Sequence, residues 1–211
     1  MKHSLVRVAL AACGMLGLPL GVHAQTVDGT FVNANVGSAS LDGGLGDKHE
    51  TSYGLHGGYR WAISPGGLLG VEAGYVDFGN YSFPATFVTL DPLGTPPGDS
   101  VTVTGRGHTQ VDGWTLGATG RFNFAPRWYV DGRAGYLHAG IDTRLRYTAL
   151  DGSVIRERFN SNADGWYAGA GVGFDVSDAV SIGLHYDYHR IRDHGASVDP
   201  DVVSMSGEFR F

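Results

Sequence analysis

Apolar and other residues alternate over eight stretches of the chain, roughly 29–38, 52–62, 68–78, 110–123, 127–142, 164–176, 179–190 and 201–211. A period of two is that of a strand with two unlike faces, and no stretch has the 3.6-residue period of a long amphipathic helix. One face carries Val32, Ala34 and Val36 in the first stretch, Trp114, Leu116, Ala118 and Phe122 in the fourth, and Val203, Met205, Phe209 and Phe211 in the last. No charged residue interrupts it. The other face carries Asn33, His56, Arg60, Glu72, Arg121, Asp131, Arg133, Asp175, His185, Asp187, Glu208 and Arg210, interleaved with glycine.

Alternation does not by itself say which face is inside, because a soluble lipid-binding barrel alternates with its apolar face inward. Two features favour an apolar exterior. The aromatics sit mainly at strand ends, with Tyr53, Tyr75, Trp114, Tyr136, Trp166 and Tyr188 toward one rim and Trp61, Phe122, Trp128, Phe174 and Phe211 toward the other. Two such belts match the two interfaces of a bilayer. The connections also alternate between short (64–67, 125–126, 176–178) and long, the asymmetry of periplasmic turns and external loops. Each stretch has about the 9–11 residues a tilted strand needs to cross hydrocarbon. The expectation is an all-β fold: an eight-stranded, antiparallel, up-and-down transmembrane β-barrel with a polar, small-residue interior.

The first residues change the picture of where the chain goes. Lys2 and Arg7 precede an apolar run, Val8 to Val22, that Pro19 interrupts and that ends in Val22-His23-Ala24. This predicts a signal peptide, 1–24, cleaved before Gln25, and a barrel domain over 25–211. Leu10-Ala11-Ala12-Cys13 offers a competing lipoprotein box, though the apolar run continues well past it. With the leader gone the chain has no cysteine, so stability must come from burial and backbone pairing. Losing Lys2 and Arg7 moves the formal net charge from −6 to −8, which argues against a nucleic-acid partner.

Three phrases resemble a known family. The ending Val203, Met205, Gly207, Phe209, Phe211 is similar to the C-terminal assembly signal of outer-membrane barrels. Gly70 to Gly79 resembles the third strand of the OmpA-type transmembrane domain, and Gly120 to Tyr129 the strand, tight turn and strand of small barrels related to OmpA, OmpX and the opacity proteins. The resemblance implies a bacterial outer-membrane location, contact with outer-membrane lipid and lipopolysaccharide, and insertion by the barrel-assembly machinery. The resemblance is to the transmembrane domain of OmpA and reaches no peptidoglycan-binding domain, so the cell-wall tethering of full-length OmpA is not carried over as an expectation.

Candidate chemistry then divides between lumen and loops. Glu72, Arg121, Asp131, Arg133, Asp187, Glu208 and Arg210 have mixed signs on the polar face and are expected to form a lumenal charge network that fills the barrel; a narrow pore is the alternative. His185, Asp187 and His189 invite a metal site, but strand rise puts the two histidines about 13 Å apart, so no metal or cofactor is expected. No mature histidine has a serine two residues on, the pair shared by lipid A deacylases of this size, so an enzyme is not expected and lipid modification stays an alternative. Loop two, roughly Gly79 to Thr109, reads as polar and irregular, with Pro84, Pro92, Pro96 and Pro97. Loop three, Ile141 to Phe159, reads as a hairpin turning at Asp151-Gly152 in a two-residue type I′ turn. That register places Arg146 opposite Glu157, with Arg156 and Arg158 beside Leu145 and Tyr147 on the other face. Arg144, Arg146, Arg156 and Arg158 are the candidate contacts to lipopolysaccharide phosphates or to a surface or host ligand. The expected role is structural in the envelope, or adhesion and recognition through these loops.

Overall fold

The computed structural model describes residues 28–42, 48–91, 99–148, 153–193 and 196–211. Eight strands follow in chain order: β1 (Gly29–Asp42), β2 (Lys48–Ser64), β3 (Gly67–Asp91), β4 (Asp99–Asn123), β5 (Trp128–Thr148), β6 (Val154–Asp175), β7 (Val180–Asp193) and β8 (Ala196–Arg210). Each pairs antiparallel with its neighbour in sequence, and β8 returns to β1 to close the barrel. Within the closed ring the backbone of every strand is satisfied without an edge, the condition for crossing a membrane with strands.

The apolar face is the outer one. Trp114 and Leu116 are 66 % and 63 % exposed and Met205 65 %, whereas Glu72, Arg121 and Asp187 on the alternate positions are buried. At one end tight turns reverse the chain, Pro65-Gly66 among them, with Trp128 N–H donating to Ala125 O at 3.3 Å and Val176 N–H to Val180 O at 2.9 Å. At the other end the strands run on past the outer aromatic belt.

That continuation overturns the irregular reading of loop two. β3 and β4 stay paired from Asn80↔Gln110 to Asp91↔Asp99, so the segment is a long hairpin. A bulge between Asp77 and Asn80 re-aims it: Gly79 takes a left-handed φ of 96°, and its N–H donates to Asp77 Oδ1 at 2.8 Å. The bulge reverses which alternate positions point outward, which is why apolar alternation stops at Phe78. Beyond Asp77 no pairing of β3 with β2 continues, so Pro84 sits on an edge strand, where a missing N–H is tolerated.

Loop three is a hairpin, but in a different register. Arg146 lies opposite Arg156, Arg144 opposite Arg158, Leu145 opposite Glu157 and Thr148 opposite Val154. A two-residue turn at 151–152 is incompatible with that pairing; residues 149–152 themselves lie outside the described residues. Slipping a pair by one residue changes every partner. All four arginines therefore share one face.

The extensions of β3, β4, β5 and β6 form a four-stranded wall on one side of the barrel, where the strands have 25, 25, 21 and 22 residues against 14 in β1 and β7. Its inner face is largely apolar. Tyr81 and Ala85 are buried there, the ring of Phe83 lies over Gly107, and Leu145, Tyr147 and Ile155 are half-buried.

The barrel interior is also less uniform than expected. Toward the wall end the lumen is filled by Val76, Phe78, Val111, Leu137, Ala139, Ala163, Tyr167, Ile191 and Val202, an apolar layer on the same face as the charged residues. The polar, small-residue reading holds only for the rest of the lumen.

Candidate functional site

Two regions concentrate chemistry: the lumen beneath the apolar layer, and the outer face of the wall.

Lumenal side chains are seated by glycine on the neighbouring strand. Asp187 faces Gly169, His185 faces Gly171, and His56 faces Gly74. A Cβ added at Gly169 would meet Asp187 Oδ1 at 1.9 Å, and one at Gly171 would meet His185 Cδ2 at 2.3 Å. A large polar residue thus lies across the space its glycine partner leaves open.

The charges so placed form layers. Nearest the turns, Arg121 donates to Asp175 at 2.5 Å and Glu208 at 3.2 Å, Arg60 donates to Glu208 at 2.9 Å, and Arg210 to Asp175 at 2.9 Å. The Arg60 and Arg121 guanidiniums also stack 3.7 and 3.5 Å over the rings of Phe31 and Tyr129. Farther in, Arg133 forms a two-pronged pair with Asp187, at 2.7 and 2.6 Å, and donates to His56 Nδ1 at 3.4 Å. His185 Nε2 lies 2.9 Å from Asp131. Among the described residues Glu72 makes no ion pair; it accepts a hydrogen bond from the Tyr167 hydroxyl at 2.9 Å. A cavity of about 10 Å³, room for one water molecule, lies among Asn33, Glu72, Asp131, Arg133 and His185.

All seven expected network residues, Glu72, Arg121, Asp131, Arg133, Asp187, Glu208 and Arg210, therefore face the lumen, but Arg60, Asp175, His185 and Tyr167 complete their contacts. The first three stand on the polar face of the sequence pattern; only Tyr167 gives no sign of a lumenal role there.

The metal alternative gains no geometry. Asp187 is engaged by Arg133, and His189 lies between the rings of Phe78 and Tyr167 with Nδ1 3.3 Å from Pro200 O. Among the described residues no three His, Cys, Asp or Glu side chains are grouped to hold an ion.

Two histidine pairs bear on catalysis. His138 Nδ1 is 2.8 Å from Asp164, which also accepts the Tyr136 hydroxyl, but no described serine or cysteine bonds to His138. Ser82 Oγ is 2.8 Å from His108 Nδ1 across the β3–β4 pairing, a contact that no short sequence motif announces. Arg144 is His108's partner on β5, and among the described residues no carboxylate orients its ring. A nucleophile needs both base and orienting group.

The outer face of the wall is basic. Arg106, Arg146 and Arg156 form one cross-strand row and His108, Arg144 and Arg158 the next, all exposed. Asp142 receives Arg158 and lies 3.6 Å from Arg144. The Arg158 guanidinium holds the Asp142 carboxyl below its ordinary range. Among the described residues Arg106, Arg146 and Arg156 have no carboxylate partner. Val203, Met205, Gly207, Phe209 and Phe211, expected from the sequence to form an assembly signal, line the outer face of β8 and its end, four of them well exposed and Phe209 half-exposed.

The closed ring, its apolar exterior and two aromatic rims meet the family model for the outer membrane protein beta-barrel domain, which matches residues 8–211. The chain belongs to that family. It is a bacterial outer-membrane barrel. No curated protein matches the sequence. Among solved structures it is similar to Ail, the attachment invasion locus protein of Yersinia pestis, at 13 % identity and a TM-score of 0.50, covering 90 % of this chain and 100 % of that one. It is also similar to the outer membrane protease OmpT from Escherichia coli, at 11 % identity and a TM-score of 0.53, covering 90 % and 99 %. At such identities the likeness is one of fold.

Proposed function

We propose that this family member is a non-enzymatic barrel that stabilises the envelope and serves adhesion or recognition through its external wall. The observation that carries the proposal is the contrast between a filled lumen and a wall whose outer face holds Arg106, Arg146 and Arg156 without a carboxylate partner among the described residues. A rigid scaffold presenting extended loops is a common arrangement for binding. The fold is shared with both an attachment protein and a protease, so the choice rests on this chain's own residues. Among the described residues neither His138, which faces Asp164, nor His108, which faces Ser82, stands in a complete nucleophile, base and orienting carboxylate set. A narrow pore and a lipid-modifying enzyme are the alternatives. The signal peptide over 1–24, which lies outside the described residues, and delivery by the barrel-assembly machinery belong to the same proposal.

The test compares cells carrying the whole protein, no protein, or a version with the wall trimmed at 82–108 and 143–159. Trimmed protein is expected to keep heat-modifiable gel mobility while surface binding, or resistance of the envelope to detergent, falls to the level of cells without it. Unchanged binding and integrity would overturn the proposal. A changed lipid A mass profile in cells with the protein would establish the enzyme instead.

A further inference from the structure

We infer that the outer face of the wall docks the phosphorylated sugars of a neighbouring lipopolysaccharide molecule, side-on and within the same membrane. The inference rests on the wall being the working part of the protein and names what one face of it holds.

Like charges placed directly opposite across an antiparallel pair are about 5 Å apart at Cβ and destabilise it. Arg146 is opposite Arg106 on one side and Arg156 on the other, and Arg144 is opposite Arg158. Asp142 offsets part of the lower row only. Such stacking on a sheet with two open edges calls for an external anion, and guanidiniums suit phosphate and carboxylate oxygens in two-pronged contacts.

The orientation selects the source of that anion. The arginine rows continue the face of β4, β5 and β6 that, lower down, presents Trp114, Tyr136 and Trp166 to the membrane interface. Basic side chains begin at that belt: Arg190 is opposite Trp166, and Arg192 is opposite Asp164. Above them Asn162, Asn160, Arg158 and Arg156 follow at alternate positions of β6. Ten residues of tilted strand separate Trp166 from Arg156, about 25 Å of height. A ligand meeting this track must start in the bilayer interface and extend upward along the outside of the barrel. Lipopolysaccharide does so, with phosphates on lipid A and phosphates and carboxylates on its inner-core sugars; a soluble polyanion would have no reason to meet the lower part. Asp164 interrupts the track, but its carboxylate is occupied by Tyr136 and His138.

The experiment uses the whole chain in phospholipid nanodiscs doped with rough-form lipopolysaccharide, with the same lipopolysaccharide after dephosphorylation, or with a soluble sulfated oligosaccharide. Binding is read by co-purification of lipid per barrel and by amide hydrogen exchange in β5 and β6. Phosphorylated lipopolysaccharide is expected to co-purify and to slow exchange over 144–158. R146E/R156E is expected to lower co-purification at least tenfold, with R146Q/R156Q intermediate and heat-modifiable mobility retained by both. Equal retention of the dephosphorylated lipid, or unchanged retention by both variants, overturns the inference. So does preferential protection by the soluble oligosaccharide. If the variants keep lipopolysaccharide while trimming the wall abolishes surface binding, this inference alone fails; if they lose it and trimming changes nothing in cells, the recognition role fails.

Discussion

At Asp187 a single carboxylate holds several things in place. It accepts both prongs of Arg133, is buried, and fits only because Gly169 has no side chain. Removing one member of a buried pair leaves the other desolvated and uncompensated, a loss of about 3–5 kcal/mol, whereas replacing both by apolar groups is often neutral. Asp187→Ala is therefore expected to lower the unfolding free energy of the barrel in lipid vesicles by that amount, read from the shift of the urea midpoint multiplied by m, and Asp187→Leu with Arg133→Met to recover most of it. Gly169→Ala should cost stability by pushing the carboxylate off its seat, and in the Asp187→Ala background it should cost less, because the 1.9 Å clash with Asp187 Oδ1 has gone and only the approach to Tyr186 O at 2.9 Å remains. Additive costs in that cycle would show that glycine acts here through backbone effects alone. The pairing of a large polar residue with glycine across the strands is visible in the sequence once register is known, and register is what alternation fixes least well.

Strand length and strand register separate what could be read from residues 28–211 from what could not. Within the bilayer, lipid requires an apolar side chain at every second position, so the central parts of β1 to β8 stand out, together with the seven lumenal charges. Outside it, water on the outer face lifts that demand: β4 between 99 and 109 carries Arg106 and His108 outward where Trp114 and Leu116 had been, and the strand pattern fades. The bulge at Gly79 has the same effect on β3. In the β5–β6 hairpin Asp151-Gly152 is a plausible turn from composition, yet cross-strand pairing over many residues overrides it. The slip matters for energetics, since it replaces an Arg146–Glu157 attraction by an Arg146–Arg156 repulsion. Arg146→Thr, with a residue suited to an exposed strand, is expected to stabilise the lipopolysaccharide-free wall by about 0.2–1 kcal/mol for each opposed pair relieved. Slower amide exchange in β5 and β6 at low salt, shrinking as salt screens the arginines, is the measurement. Asp142 acts in the opposite sense. Because Arg158 lowers its pKa, its contribution is present above the ordinary carboxylate value of about 3.9 and is lost as pH falls through the lowered one, so exchange in the hairpin should quicken only below about pH 4.

For the whole molecule the open question is whether anything passes through. Along the lumen two kinds of barrier stand in series: the charge layers from Arg121 to Arg133, and the apolar layer of Phe78, Leu137, Ile191 and their neighbours above them. A hollow of about 340 Å³ opens at the turn end between Phe31, Leu68, Arg210 and Phe211, but it meets the pairs of Arg60 and Arg210 at its floor. Rearranging ion pairs alone would not wet an apolar layer, and enlarging that layer alone would leave the ions locked below it. Wild-type protein in planar bilayers is accordingly expected to be silent, as are Phe78→Ala/Leu137→Ala and Arg133→Ala/Asp187→Ala taken separately. The four changes together with Arg121→Ala and Glu208→Ala, which open the layer nearest the turns as well, should give small conductance steps. Steps from the wild-type protein that Arg133→Ala or Glu72→Ala alters would favour the pore over the scaffold, and would require the apolar layer to move as a unit. Steps from Phe78→Ala/Leu137→Ala alone would place the sole barrier at the wall end, leaving the buried charges with a purely structural task.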